Sequence, residues 1–363
     1  MSKDERPFME RLGVRTLERR SLEIPKANSV GDGVVHLVDA EERAALQRIE
    51  RQALARAALA GAGSALISAI AEVCVQDHET TDPILYWGVI AAAGGVAAIA
   101  EIAFLSFDAL RTVHRMSVAA GVLAVDDDAH RSRVLTSLAR AALEVPNPPT
   151  SAFGVNPHRE ANKLLLIGAA VIYKLKVSVT NVVIKQVVRR ALGRAAVRSF
   201  LPFLAIPGTA LWDFLVCRVV LREARVRIFG PSLANDVVER LLPPGHPVSP
   251  LLAEALMRAA ASCVVRTADL HPNLELLLAA LVARLQAPVP DAVDDTAAFL
   301  RLLPSLDEAD GGVVRRFLRA GAVIDGRVAR RERALLREAS AWIADDVEGE
   351  RRRVLAGEPL LLA

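Results

Sequence analysis

Two apolar runs joined by eight polar residues constrain this chain more than any other feature in it. The first, AALAGAGSALISAIAEVCV, covers 57–75, and Glu72 is its only charge. The second, ILYWGVIAAAGGVAAIAEIAFLSF, covers 84–107, and Glu101 is its only charge. Between them, QDHETTDP (76–83) carries three acids and no Lys or Arg. A helix rises 1.5 Å per residue, so about 20 apolar residues match the roughly 30 Å hydrocarbon core of a bilayer. The pair therefore reads as a transmembrane helical hairpin over 57–107. Arg43, Arg48, Arg51 and Arg56 precede it, and Arg111 and Arg115 follow. Positive charge on both flanks and none in the turn predicts cytoplasmic ends and an external turn. Tyr86 and Trp87, just past the turn, fall at headgroup depth. The competing reading is a soluble hairpin buried inside a larger bundle.

Composition supports an all-α chain. Apolar residues make up 52% and charged residues 24%, which are compatible only if the apolar residues are concentrated in a few segments. Alternating period-2 segments are scarce and helix formers abound. A net charge of +3 is too small to indicate nucleic-acid binding. Cys74, Cys217 and Cys263 lie too far apart for a metal knuckle or a disulfide framework. The charged N-terminus has no apolar signal core, so the start of the chain is expected to be cytoplasmic.

With a turn near residue 79, GAGSA (61–65) is predicted to face GGVAA (94–98). Gly61, Gly63, Gly94 and Gly95 would let the two backbones approach closely, as helices do in lipid. Glu72 and Glu101 lie near the ends of their runs, where interfacial water is close, so end-of-helix solvation is the plain reading. An ion or proton role is the sharper one.

The rest of the chain divides into consecutive blocks. Residues 1–40 read as a polar tail with one short helix, and 41–145 as a helical region around the hairpin. Residues 146–158 form a Pro-rich linker. Residues 159–230 read as a basic, apolar, membrane-associated hairpin. There Lys163, Lys174, Asn181, Lys185 and Arg189 share one helical face. Its connection and both flanks are basic, which argues against a simple spanning pair and for the cytoplasmic leaflet. Insertion beside the first hairpin, with Asp213 paired to Lys174 or Lys176, is the other reading. FGPSLANDVVERLLPPGHPVSP (229–250) marks a boundary.

Within 250–350 two passages repeat a pattern: an apolar helix, an Asp at a turn, then a Glu as a new helix begins. Asp269 and Glu275 belong to the first, and Asp325 and Glu332 to the second. VIDGRVARRERALL and TADLHPNLELLL resemble the repeated turn of the TerB-like family, small helical domains of tellurite-resistance proteins. Leu270 stands where that family has Gly. The resemblance implies a helical bundle, a divalent-cation site at the four acids and a role in envelope stress. The bottom-up reading needs no metal. Gly326 supplies a positive φ, Asp or His caps free amides, and Glu suits the first helical turn.

No P-loop, dinucleotide fingerprint, nucleophile elbow or HExxH occurs, so no catalytic residues are expected. His158 and the Asp126–Asp128 run read as helix-start residues. The sequence thus predicts a protein of a bacterial inner membrane, with both termini cytoplasmic and the lipid bilayer as first partner. A homo-oligomer and an unidentified protein partner are compatible with it; nucleic acid is not expected, and neither is a cofactor apart from the divalent cation. Two further readings stay open: a soluble or peripheral adaptor, and an ion or solute conduit.

Overall fold

The computed structural model describes residues 8–21, 38–122, 128–147, 151–160, 201–245 and 247–362. Among them the chain is all-helical, with a single isolated bridge between Ala152 and Val155. In order the helices are α1 (Phe8–Ser21), α2 (Ala40–Cys74), α3 (Pro83–Ala119), α4 (Asp128–Ala142), α5 (Leu201–Leu241) and α6 (Pro250–Thr267). Then follow α7 (Pro272–Leu285), α8 (Thr296–Leu302), α9 (Glu308–Val323), α10 (Arg330–Glu338) and α11 (Ala344–Ala356). Lys163, Lys174, Lys176, Asn181, Lys185 and Arg189, and with them the basic face and the Lys174–Asp213 pairing, lie outside the described residues.

The chain packs as two compact units, neither continuous in sequence. One compact unit gathers 1–46, 116–163 and 222–363; the other gathers 47–115 and 164–221. Three of the helices are long, at 35, 37 and 41 residues. α2 carries the charged stretch and the first apolar run in one helix, and α3 does the same for the second run and DALRTVHRMSVA. α5 runs unbroken through Pro207, Gly208, Gly230 and Pro231, and the boundary expected within 229–250 falls at the Pro243–Gly245 turn. An interior Pro costs about 3 kcal/mol. Around Pro231, burial of Ile228, Phe229, Leu233, Ala234, Val237 and Val238 offsets it.

The centre of the first unit is α6. Twelve of its residues are buried, from Leu252 to Val265, and it packs against α7, α8, α9 and α10. Its start is set by Ser249, whose hydroxyl accepts from the Leu252 amide, with Pro250 in the first turn. Its end is set by Ala268 in the left-handed region, at φ 55°. The N-terminal stretch is less of a tail than expected. α1 packs on α4, with Val14 and Leu17 buried and Glu10 paired to Arg140 at 2.9 Å.

Gly230 allows the closest approach in this unit. A Cβ there would stand 2.0 Å from Oδ1 of Asn273, whose amide donates to Val226 O (2.9 Å) and Ile324 O (2.8 Å). Gly230→Ala is expected to cost about 2 kcal/mol through overpacking. Gly312→Ala, where a Cβ meets nothing within 4 Å, is expected to be neutral or stabilising. Thermal unfolding followed by circular dichroism compares the two, and equal midpoints would refute the packing account.

Candidate functional sites

The second unit is built on a stripe of small residues. Along α2, Ala53, Ala57, Gly61, Ala65 and Ala69 recur every four residues and are the buried positions of that face. Such spacing stacks them one above another on one side of the helix. Gly61 is the tightest point. A Cβ there would stand 2.4 Å from Oδ2 of Asp213 and 2.8 Å from the carbonyl of Thr209, both on α5. The Thr209 hydroxyl also donates to the Gly61 carbonyl at 3.0 Å. Small residues thus permit close helix approach as expected, but at Gly61 the partner is α5 rather than 94–98.

The α2–α3 register is set by polar contacts. Arg56 donates from Nε to Asp108 at 2.8 Å and from Nη2 to Thr112 at 3.2 Å. Further along, a Cβ on Gly94 would lie 3.7 Å from Ser68 Oγ. Both pairs set the register about four residues away from the one expected. A Cβ on Gly63 or Gly95 would meet nothing within 4 Å. Gly63 and Ser64 instead line a shallow groove of about 420 Å³ with Ala97, Glu101 and Phe104.

Of the expected intramembrane polar residues, Glu101 and Asp213 come together. Asp213 is the one buried residue between Phe203 and Val219 among those described. Its carboxyl lies beside Glu101, and its Oδ2 has no hydrogen-bond partner. Glu72 sits apart from this pair, in the last turn of α2 and half-exposed.

The first unit contains the paired turns. His271 caps α7: its Nδ1 accepts from the Asn273 amide at 3.2 Å. That leaves Nε2 to carry the ring proton and donate to Glu223 Oε1 at 3.0 Å. Arg227 Nε donates to the same oxygen at 2.9 Å, and Arg327 Nη2 to Oε2 at 2.8 Å. Burial opposes the charge on Glu223. The His271 hydrogen bond and the charges of Arg227 and Arg327 outweigh it and hold the carboxyl far below the usual carboxylate range.

The four predicted acids divide. Asp325 and Glu332 are both buried and close enough to interact electrostatically. Asp325 Oδ1 accepts from the Arg327 amide at 2.8 Å, and Gly326 follows at φ 73°. Glu332 Oε2 accepts from the Ala329 amide at 2.7 Å, while its Oε1 has no partner. Burial raises both carboxyls, and the charge of Asp325 adds to the shift at Glu332. Asp269 is exposed and accepts from Asn147, at 3.0 and 3.1 Å; Glu275 is exposed on the first turn of α7. Among the described residues no group of three His, Cys, Asp or Glu side chains is placed to hold a metal ion. The expected capping roles appear in Gly326, His271 and Glu332. Glu223, the hub of the cluster, lies on α5, outside the repeated passages where reasoning from motifs looks.

The chain matches no family model, no curated protein and no solved structure. What can be stated of its class is an all-α chain with two helices, α2 and α3, long and apolar enough to cross a membrane.

Opposite pH responses follow from the two kinds of carboxyl. Glu223, with its lowered pKa, contributes stability above the unfolded value near 4.5 and loses it as pH falls. Glu332, with its raised pKa, favours the fold below about 4.5, and that contribution is lost as pH rises through its folded value. Stability is therefore expected to peak in mildly acidic solution. Glu223→Gln is expected to cost about 3 kcal/mol at neutral pH and to flatten the acid limb. Glu332→Gln is expected to flatten the alkaline limb. Denaturant unfolding from about pH 2 to about pH 9, in steps of about one unit so that both limbs are covered, measures both. Unchanged limbs would remove these residues as the cause.

Proposed function

We propose that this chain is a membrane-embedded all-helical protein of bacterial type, with 57–107 crossing the inner membrane as a hairpin. Both termini lie on the cytoplasmic side in this reading. Its role is interaction or sensing, carried by a TerB-like helical region over 250–350. The single observation that carries the membrane reading is where the apolar side chains point. Between Ile84 and Phe107 only Tyr86 and Ala97 are buried. Leu59, Ile67, Val96, Ile99, Ile102 and Phe107 are all more than half exposed. Just 6% of the most apolar window of α3 is buried, against 22% for α2. A core hairpin of a soluble bundle buries such residues, and contiguous apolar exposure of this extent calls for lipid or a partner. The Arg-flanked ends and the acidic turn supply the orientation. Support for the TerB-like reading is local: two helix–turn–helix passages, each with an Asp at its turn and a Glu in the next helix.

A conduit is the second reading, favoured by one observation: the Glu101–Asp213 pair, with an unpartnered carboxyl oxygen, stands between apolar helices. Proton or cation flux into proteoliposomes is expected to fall in Asp213→Asn on that reading, and unchanged flux removes it.

For the membrane reading, the protein is expected to stay in the pellet after alkaline carbonate washing. Cys74 gives the orientation directly, because it is exposed beside the turn while Cys263 is buried. A membrane-impermeant maleimide added outside intact cells is expected to label wild type and not Cys74→Ser. Release by carbonate would overturn the hairpin, and labelling only after lysis would overturn its orientation.

A further inference from the structure

The first unit holds a cavity of about 570 Å³ that borders the first of the paired turns at Leu270, Pro272 and Glu275. That size suits a small organic molecule. One wall is polar and comes from α4, with Ser137 and Arg140, joined by Arg227 of α5. Phe153 and, on α7, Leu276 and Ala279 add apolar lining, next to Asn273 and Glu275 of the same helix. Phe153 is held in the left-handed region at φ 52°, across the Ala152–Val155 bridge. Bulky side chains rarely adopt that conformation, and here it sets the ring at the cavity wall.

The polar end centres on the Glu10–Arg140 ion pair. Glu10 is wholly buried and Arg140 is 9% exposed. Glu10 Oε2 accepts from Arg140 Nη2 at 2.9 Å. Yet Oε1 of Glu10 and Nε of Arg140 have no hydrogen-bond partner. Buried polar atoms are nearly always paired, so two unpaired ones on adjoining cavity-lining residues point to a ligand. Oε1 needs a donor, and Nε needs an acceptor. Arg227 adds positive potential, its own donors being engaged by Glu223, Ser137 and Asn147.

We propose that this cavity binds a small organic acid with an apolar, ring-sized body and a hydroxyl or amino donor next to its carboxylate. The carboxylate meets Arg140 in the field of Arg227. The neighbouring donor meets Glu10. The body lies between Phe153 and the Leu276–Ala279 face of α7. This arrangement is independent of where the hairpin sits, so its failure leaves the membrane reading untouched.

The probes are 4-fluoromandelate, which has the hydroxyl, and 4-fluorophenylacetate, which lacks it. Binding to the full chain in detergent micelles is read by fluorine NMR line broadening, with protein-free micelles as baseline. 4-Fluoromandelate is expected to bind about tenfold more tightly, the ratio one charge-assisted hydrogen bond supplies. Ala279→Trp, which fills the cavity, is expected to abolish binding of both probes. Glu10→Ala is expected to erase the preference between them. No broadening above baseline, undiminished binding to Ala279→Trp, or a preference that survives Glu10→Ala would each overturn the proposal. Should Glu10→Ala lose its helical signal, Ala279→Trp decides alone.

Discussion

One largely buried carboxylate ties the first unit together. Glu223 accepts from His271, Arg227 and Arg327, and through them joins α5 to the turn before α7 and to the turn before α10. Arg227 extends the link to Ser137 O and to Asn147, which in turn holds Asp269. A charge taken from water is costly, and here three donors compensate it. The same donors act on segments distant in sequence. Removing Glu223 would therefore leave the buried Arg227 guanidinium and the buried His271 ring N–H without their shared acceptor, on two elements at once. Asn273 performs a neutral version of the task, bonding Val226 O and Ile324 O from a position that only Gly230 leaves open.

The second unit rests on a different constraint. Its helices meet through small residues, the buried Ala and Gly stripe of α2, while the large apolar side chains turn outward. In water this inverts the usual division between core and surface. In lipid it removes the penalty, because the hydrophobic effect no longer separates inside from outside and close backbone approach supplies the packing. The polar groups then mark places where helix ends or facing charges satisfy one another. Arg56–Asp108 pins α2 to α3 at the basic end, and Asp213 is brought beside Glu101 by the same close approach that Gly61 permits.

The repeated acidic passages show how far local reasoning reaches. Positive φ at Gly326, capping by His271 and a Glu, Glu332, in the first turn of α10 were all legible, because each depends on residues within a few positions. The absent Gly at Leu270 was legible as a departure, but its resolution was not. Ala268 takes the left-handed position, and Leu270 is buried instead. The parting of Asp269 and Glu275 from Asp325 and Glu332 was also out of reach. Spacing along the chain does not say which turns face the same interior.

By itself the sequence determined the all-α class, the apolar runs and the basic flanks, since each follows from residue type and short-range periodicity. It also determined the local caps, whose partners lie within one helical turn. Only the tertiary structure decided the helix register, which the Arg56–Asp108 pair sets, and the two discontinuous units, which cut across the linear order of the blocks. It also decided that Glu223 is a hub and that Glu10 and Arg140 meet at a cavity wall, 130 positions apart in the chain. Those pairings depend on long-range packing, in which burial and charge compensation are collective and no single stretch of chain carries the information.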